Sequence, residues 1–147
     1  MKLYYILLAL AAGIMMPVQA GVNAVLGSHL KTPFLAAFVS FSVGTIALAT
    51  LCFLLRVPLP GPGVVSKLPL WLWTGGIMGA FFVTTTIILA PKLGAVALLG
   101  TLVAAQMAAS LILDHFGLIG YPVQQVNVLR LLGVTFLILG VILIQKY

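Results

Sequence analysis

The chain has 147 residues, of which 63% are apolar and 5% charged, against roughly 45 to 50% and about 25% in a soluble domain. With a mean hydropathy of +1.31, it lacks the polar surface needed to clothe a globule in water. These proportions exclude a soluble enzyme, a disordered chain and a disulfide-stapled secreted domain, the last because Cys52 is the single cysteine. Seven Lys and Arg against one acid give a formal charge of +6. The cations nevertheless stand singly, with no basic cluster, zinc-ligand spacing or aromatic-basic motif, so nucleic acid is not an expected partner.

The cations read instead as the flanks of membrane spans. Crossing about 30 Å of hydrocarbon takes about 20 apolar residues, and the intervals between charges have that size. Lys2 to Lys31 encloses residues 3–30, Lys31 to Arg56 encloses 32–55, Lys67 to Lys92 encloses 68–91, and Lys92 to Asp114 encloses 93–113. A fifth apolar run, Leu131 to Ile144, is short, but Arg130 can snorkel while its helix starts near Asn127. The expected architecture is an all-α integral membrane protein, one membrane domain over residues 1–147 with helices near 3–26, 34–55, 69–90, 94–113 and 127–145.

The first run, with Val18-Gln19-Ala20 before Gly21, is similar to a signal peptide with a small-residue cleavage site. Its apolar stretch continues through Leu26, past the roughly 7 to 15 residues of a signal core, and is read as a span. Pro58, Pro60, Gly61, Pro62 and Gly63 end the second span. Pro91, Lys92 and Gly94 make a very short connection, which predicts an antiparallel pairing of spans three and four. Gly117 to Gln125 forms the last loop. Tyr4, Tyr5, Trp71, Trp73, Tyr121 and Tyr147 lie near predicted span ends, as interfacial aromatics do.

Five spans place Lys2, Arg56, Lys67 and Arg130 on the side of the amino terminus and Lys31, Lys92 and Lys146 on the other. Lys and Arg bias orients membrane proteins, so a difference this small permits insertion both ways as well as a fixed topology with a weak signal. Two oppositely inserted copies would form the inverted repeat of many transporters.

Polar side chains inside spans are informative, because hydrocarbon leaves them to face a bundle interior or a watery cavity. Gln19 and Asn23 share one face of span one. Gly13, Pro17 and Gly21 lie roughly opposite, where Pro17 can bend the helix and the glycines admit a close neighbour. Gln106, Ser110 and Asp114 form a ladder on span four, with Ala104 and Ala108 opposing them. Singly, such groups serve as packing glue worth about 0.6 to 2 kcal/mol; as a set, Gln19, Asn23, Gln106 and Ser110 are read as lining a solute pathway. Asp114, the single carboxylate, and His115 are the candidates for coupling or gating, the alternative being a helix-end pair with Arg130. No acid sits at mid-span, which suits a neutral or weakly charged solute. Gly75 and Gly79 on span three and Gly133 and Gly140 on span five are assigned to packing. Phe34, Phe38 and Phe41 make a stripe with Thr45 that contacts lipid or another helix, or stacks on a solute. No nucleophile-base pair, metal cluster or phosphate-binding loop is evident, so neither an enzyme, nor a metal, nor a cofactor is expected.

Pro17-Val18-Gln19-Ala20-Gly21-Val22-Asn23, Val39-Ser40-Phe41 with Gly44-Thr45, Gly79-Ala80-Phe81-Phe82-Val83-Thr84 and Asp114-His115-Phe116-Gly117 together resemble the YdcZ family, a five-helix branch of the drug/metabolite transporter superfamily. Leu89-Ala90-Pro91-Lys92-Leu93-Gly94-Ala95, Leu132-Gly133 and Gly140-Val141 resemble the carboxyl-terminal part of an EamA-type half. Asp114 stands where that half often has Glu, and Ala104, Ala105 and Gln106 where it usually has a proline. The resemblance implies one half of a ten-helix transporter, whose larger members resemble two fused five-helix halves in inverted orientation. It implies a multi-pass protein of the bacterial inner membrane that moves a small organic solute, as a homodimer or with a related five-helix chain. A lipid-carrier flippase half and a non-transporting membrane scaffold are the alternatives.

Overall fold

Hydrocarbon offers backbone groups no water, so each span closes its own hydrogen bonds as a helix. The computed structural model describes residues 2–146; Tyr147 and the side chain of Lys2, both assigned to the membrane boundary above, lie outside the described residues. The helices are α1 (Lys2–Leu30), α2 (Pro33–Leu54), the single turn α3 (Pro62–Val65), α4 (Thr74–Leu93) preceded by a 3-10 turn at Leu70–Trp73, α5 (Ala95–Phe116) and α6 (Val128–Lys146). Among the described residues five helices, all but α3, are long and apolar enough to span a membrane.

Local chemistry sets the ends. α1 runs to Leu30, where the Ser28 hydroxyl donates to the Val25 carbonyl at 2.7 Å and His29 Nδ1 lies 2.9 Å from the same oxygen. Lys31 follows in left-handed backbone, and Thr32 then caps α2 by accepting from Phe34 N–H, with Pro33 at the first helical position. At the far end of α2, Arg56 N–H reaches Phe53 O and Val57 N–H reaches Cys52 O. With Arg56 at φ +51°, this is a Schellman end made by arginine where glycine is usual.

The connection expected at Pro91, Lys92 and Gly94 is shorter still. Pro91 lies inside the last turn of α4, and Gly94 at φ +75° alone separates α4 from α5. A proline in the last turn removes only the one N–H that would have reached the Ile87 carbonyl, so the helix outlasts it.

The chain divides into two compact units, Met1–Pro91 and Lys92–Tyr147. In the first, α1 and α2 are antiparallel: Gly27 meets Pro33 and Ala36, whereas Gln19 shares a cleft with Gly44 and Leu48. α4 runs parallel to α1, since Ile87 packs on Gly27 and Gly79 on Phe41. A Cβ on Gly27 would stand 3.1 Å from Ile87 Cγ2, so glycine is what lets these two helices meet. Around this contact sits the core of Ala36, Ala37, Val83 and Ile87, flanked by Leu26 and Phe82.

That core occupies one end of the unit. All residues from Leu3 to Met15, Thr45 to Gly61 and Gly63 to Met78 are exposed. Lipid contact alone would leave the inward face of each helix covered. Exposure of every residue on all three means that α1, α2 and α4 converge near Lys31 and diverge toward Arg56.

The second unit is an antiparallel hairpin pinned along its length. Gly100 admits Val141, the Gln145 amide donates to the Thr101 hydroxyl at 2.8 Å, and Arg130 pairs with Asp114 at 3.4 Å. Leu98 is the buried residue of α5, and α6 has none. Gly117 ends α5 at φ +60°, with Ile119 (φ +55°) and Gly120 (φ +84°) completing the reversal. A β-branched residue in that region is a strained one.

Gly117 carries the sharpest steric demand, because a Cβ there would lie 2.6 Å from Val123 Cγ2. Gly117→Ala is expected to destabilise the folded chain by about 1 to 3 kcal/mol, from the left-handed backbone and the clash together. Thermal unfolding in detergent, followed by circular dichroism, measures this. Gly61→Ala, where a Cβ meets nothing within 4 Å, is the control, and equal midpoints for the two variants would refute the loop geometry.

Candidate functional site

Where α1, α2 and α4 part, α1 and α2 enclose an open cleft of about 230 Å³ lined by Gln19, Ser40, Phe41, Gly44, Thr45 and Leu48. Pro17 is half-buried half a turn before Gln19. Asn23, one turn beyond Gln19 on the same face, is 4% exposed, and its Nδ2 is buried without a hydrogen-bond partner. A buried amide donor left unpaired costs about 1 to 3 kcal/mol, so this position is held against a penalty.

Hydroxyl groups in membrane helices usually satisfy themselves on their own backbone. Ser28, Ser42, Thr45, Thr50, Thr74, Thr86, Thr101 and Thr135 all do, donating to carbonyls three or four residues earlier. Ser40, Ser110, Thr84 and Thr85 do not: among the described residues none of them forms a hydrogen bond, nor do the Gln19 and Gln106 amides. Both serines line cavities.

Gln106, Ser110 and Asp114 stand at successive turns of the uninterrupted helix α5. Ser110 and Asp114 line one cavity of about 310 Å³ with Met107, Arg130, Gly133 and Leu137, whereas Gln106 is exposed and lines none of these clefts. Asp114 accepts from Arg130 Nη1, with the two side chains 29% and 33% exposed. Arg130 also donates to the Gln124 backbone carbonyl at 3.3 Å and to the Gln124 side-chain oxygen. The Asp114 backbone carbonyl accepts from Gln124 N–H at 2.8 Å, and His115 Nδ1 accepts from Val126 N–H at 3.2 Å. Accepting that bond requires Nδ1 to be unprotonated. Asp114 and His115 thus hold the returning loop onto the end of α5, and Asp114 carries the arginine pair weighed as its alternative role.

The glycines and aromatics are used unevenly. Gly79 packs on Phe41, but Gly13, Gly21, Gly75, Gly133 and Gly140 have nothing within 4 Å of where a Cβ would stand. For Gly75, Gly133 and Gly140 the close packing assigned from sequence is not made among the described residues, since nothing stands within 4 Å of a Cβ there. All three rings of the phenylalanine stripe are exposed, and Phe41, the least so, also walls the cleft.

Ser40, Gln124 and the Thr101–Gln145 pair were not anticipated. Ser40 sits in the quoted Val39-Ser40-Phe41 stretch, but nothing in a sequence separates it from the self-satisfied Ser42. The Thr101–Gln145 pair follows only once the 117–127 loop closes an antiparallel hairpin. Among the described residues no group of three or more His, Cys, Asp or Glu could hold a metal ion.

Arg130→Ala removes the cation of Asp114 and two tethers of Gln124. A maleimide reporter at Gln125→Cys, in a Cys52→Ser chain, is expected to label about fivefold faster, the factor equivalent to about 1 kcal/mol for a partly exposed pair. Arg130→Lys, which keeps charge but loses the planar fork, falls between. Unchanged labelling in Arg130→Ala would show that the pair does not hold the loop.

Comparison with protein families places residues 4–143 on the sequence model of the family described as "Putative inner membrane exporter, YdcZ". Comparison with curated proteins and with solved structures found no match. With the match spanning almost the whole chain and five helices long enough to cross a bilayer, the chain belongs to the YdcZ family and is a multi-pass transporter of the inner membrane.

Proposed function

We propose that this transporter moves a small organic solute by alternating access and works as an antiparallel dimer of five-helix chains. One observation carries the reading: α1, α2 and α4 meet near Lys31 and part toward Arg56, with Gln19 at the fork. A bundle closed at one end and open at the other, with polar groups where the helices divide, is one access state of such a transporter.

The roles follow from chemistry. Gln19 and Asn23 contact the solute, and Gln106 and Ser110 line the path on the second unit. Pro17 is the hinge, because its missing N–H leaves the Gly13 carbonyl without a helical donor and lowers the cost of bending at that level. Asp114 and His115 gate through the loop that they hold, since releasing Gln124 and Val126 frees the start of α6. The second chain is supported by the odd number of spans, the four-to-three division of cations and the uncovered glycines Gly13, Gly21 and Gly133, where another helix can approach closely.

Cysteine labelling and crosslinking in native membranes tests the reading, with single cysteines at either end of a Cys52→Ser chain. Each end is expected to label from both sides of the membrane and to crosslink to the opposite end of a second copy. One orientation without crosslinks would overturn the antiparallel homodimer and leave a related partner chain to be sought among co-purifying proteins. A cysteine at Gly44 is expected to react from both sides in turn. Pro17→Ala should cut its slower labelling about tenfold, the effect of roughly 1.4 kcal/mol on the access equilibrium. Equal two-sided labelling in that variant would remove Pro17 as the hinge.

A further inference from the structure

The geometry points to the class of solute that the α1–α2 cleft takes: an uncharged molecule with a planar apolar ring and a neutral group that both donates and accepts hydrogen bonds, an arene carboxamide being the simplest case. This deepens the transport reading above and rests on it. The cleft is small, about 230 Å³, or roughly eight water volumes.

The walls define two halves of the ligand. Phe41 and Leu48 are the apolar wall, and the edge of the Phe41 ring lies against Gly79, where a Cβ would stand 3.3 Å from Cζ. The polar wall is Gln19 and Ser40, whose side chains form no hydrogen bond among the described residues. The Thr45 hydroxyl donates to the Phe41 carbonyl at 2.8 Å, so it can offer the ligand only an acceptor. Gln19 presents a carbonyl and an NH₂, Ser40 a hydroxyl that serves either way. A primary carboxamide matches that set, with its oxygen for the Gln19 NH₂ or Ser40 and its NH₂ for the Gln19 or Thr45 oxygen.

Charge is the excluding feature. No Asp, Glu, Lys or Arg lies in residues 3–30, 32–55 or 68–91, and His29 is at the far end of α1 from Gln19. A cation or anion entering the cleft would be desolvated with no counter-charge, and a cation would meet only the Phe41 ring and the neutral oxygens of Gln19, Ser40 and Thr45.

The test uses three probes of similar size: benzamide, benzylammonium and benzoate. In a Cys52→Ser chain carrying Leu48→Cys, alkylation by N-ethylmaleimide is followed in freeze-thawed membrane vesicles that admit the reagent to both sides. Benzamide at several times its Kd is expected to slow alkylation by about fivefold or more, as the free fraction falls with 1/(1 + [L]/Kd). The charged probes should leave the rate unchanged, and Gln19→Leu should abolish the benzamide effect. Ordinary alkylation with protection by none of the probes, or with a charged probe protecting as well as benzamide, would overturn the solute class while leaving the pathway reading intact. A Leu48→Cys thiol that does not react even without a probe would show that the cleft holds no water, and would overturn both.

Discussion

In hydrocarbon a polar group has three places to go: its own helix, another polar side chain, or water that the protein admits. This constraint organises the whole chain. It makes each span a helix, sends eight serine and threonine hydroxyls back to carbonyls of their own turn, and makes the groups that are not so satisfied conspicuous. Gln19, Asn23, Ser40 and Ser110 are such groups at clefts or on a buried face of α1, and Thr84, Thr85 and Gln106 are others that line none of these clefts.

Because lipid tails solvate apolar side chains as well as other side chains do, helices associate where small residues let them approach. In the first unit this happens at Gly27, Ala36 and Ala37, against Ile87 and Val83. Toward the other end the helices part and every residue from Leu3 to Met15, Thr45 to Leu54 and Thr74 to Met78 is exposed. Small residues alone do not decide which end of the unit closes, because Ala9, Ala11, Ala12 and Gly13 of α1 and Ala47 and Ala49 of α2 stand at the open end; the closed end is where Ile87 and Val83 pack on Gly27, Ala36 and Ala37. A transporter gains from such an arrangement, because a joint held by a handful of van der Waals contacts can open without breaking ion pairs or hydrogen bonds.

The second unit is built differently. Its hairpin has a single buried residue, Leu98, and relies on polar pins: Gln145 to Thr101 at one end, Arg130 to Asp114 and Gln124 at the other. Polar contacts of this kind fix register more than they add stability, since partly exposed pairs contribute little net free energy. Placing the only carboxylate in the pin that closes the loop ties the one acidic group of the chain to the geometry of α6.

Composition and charge spacing were enough to reveal five membrane helices, because a span must be long, apolar and bounded by residues that reach water. The Pro17, Gln19 and Asn23 grouping and the Asp114, His115 and Arg130 grouping were also legible, since helical spacing and short loops bring these residues together locally. What the sequence could not disclose was which polar groups stay unsatisfied. Ser40 and Ser42 are the same residue type two positions apart, yet one bonds to Phe38 and the other lines a cleft. Nor could it foretell that Pro91 sits inside its helix, or that nothing stands within 4 Å of a Cβ at Gly133 and Gly140. The sequence by itself therefore determined the spans and their solvent, a property of each segment summed over its own residues. Only the tertiary structure decided where helices touch and where they part, because that depends on the neighbours that distant segments present to one another.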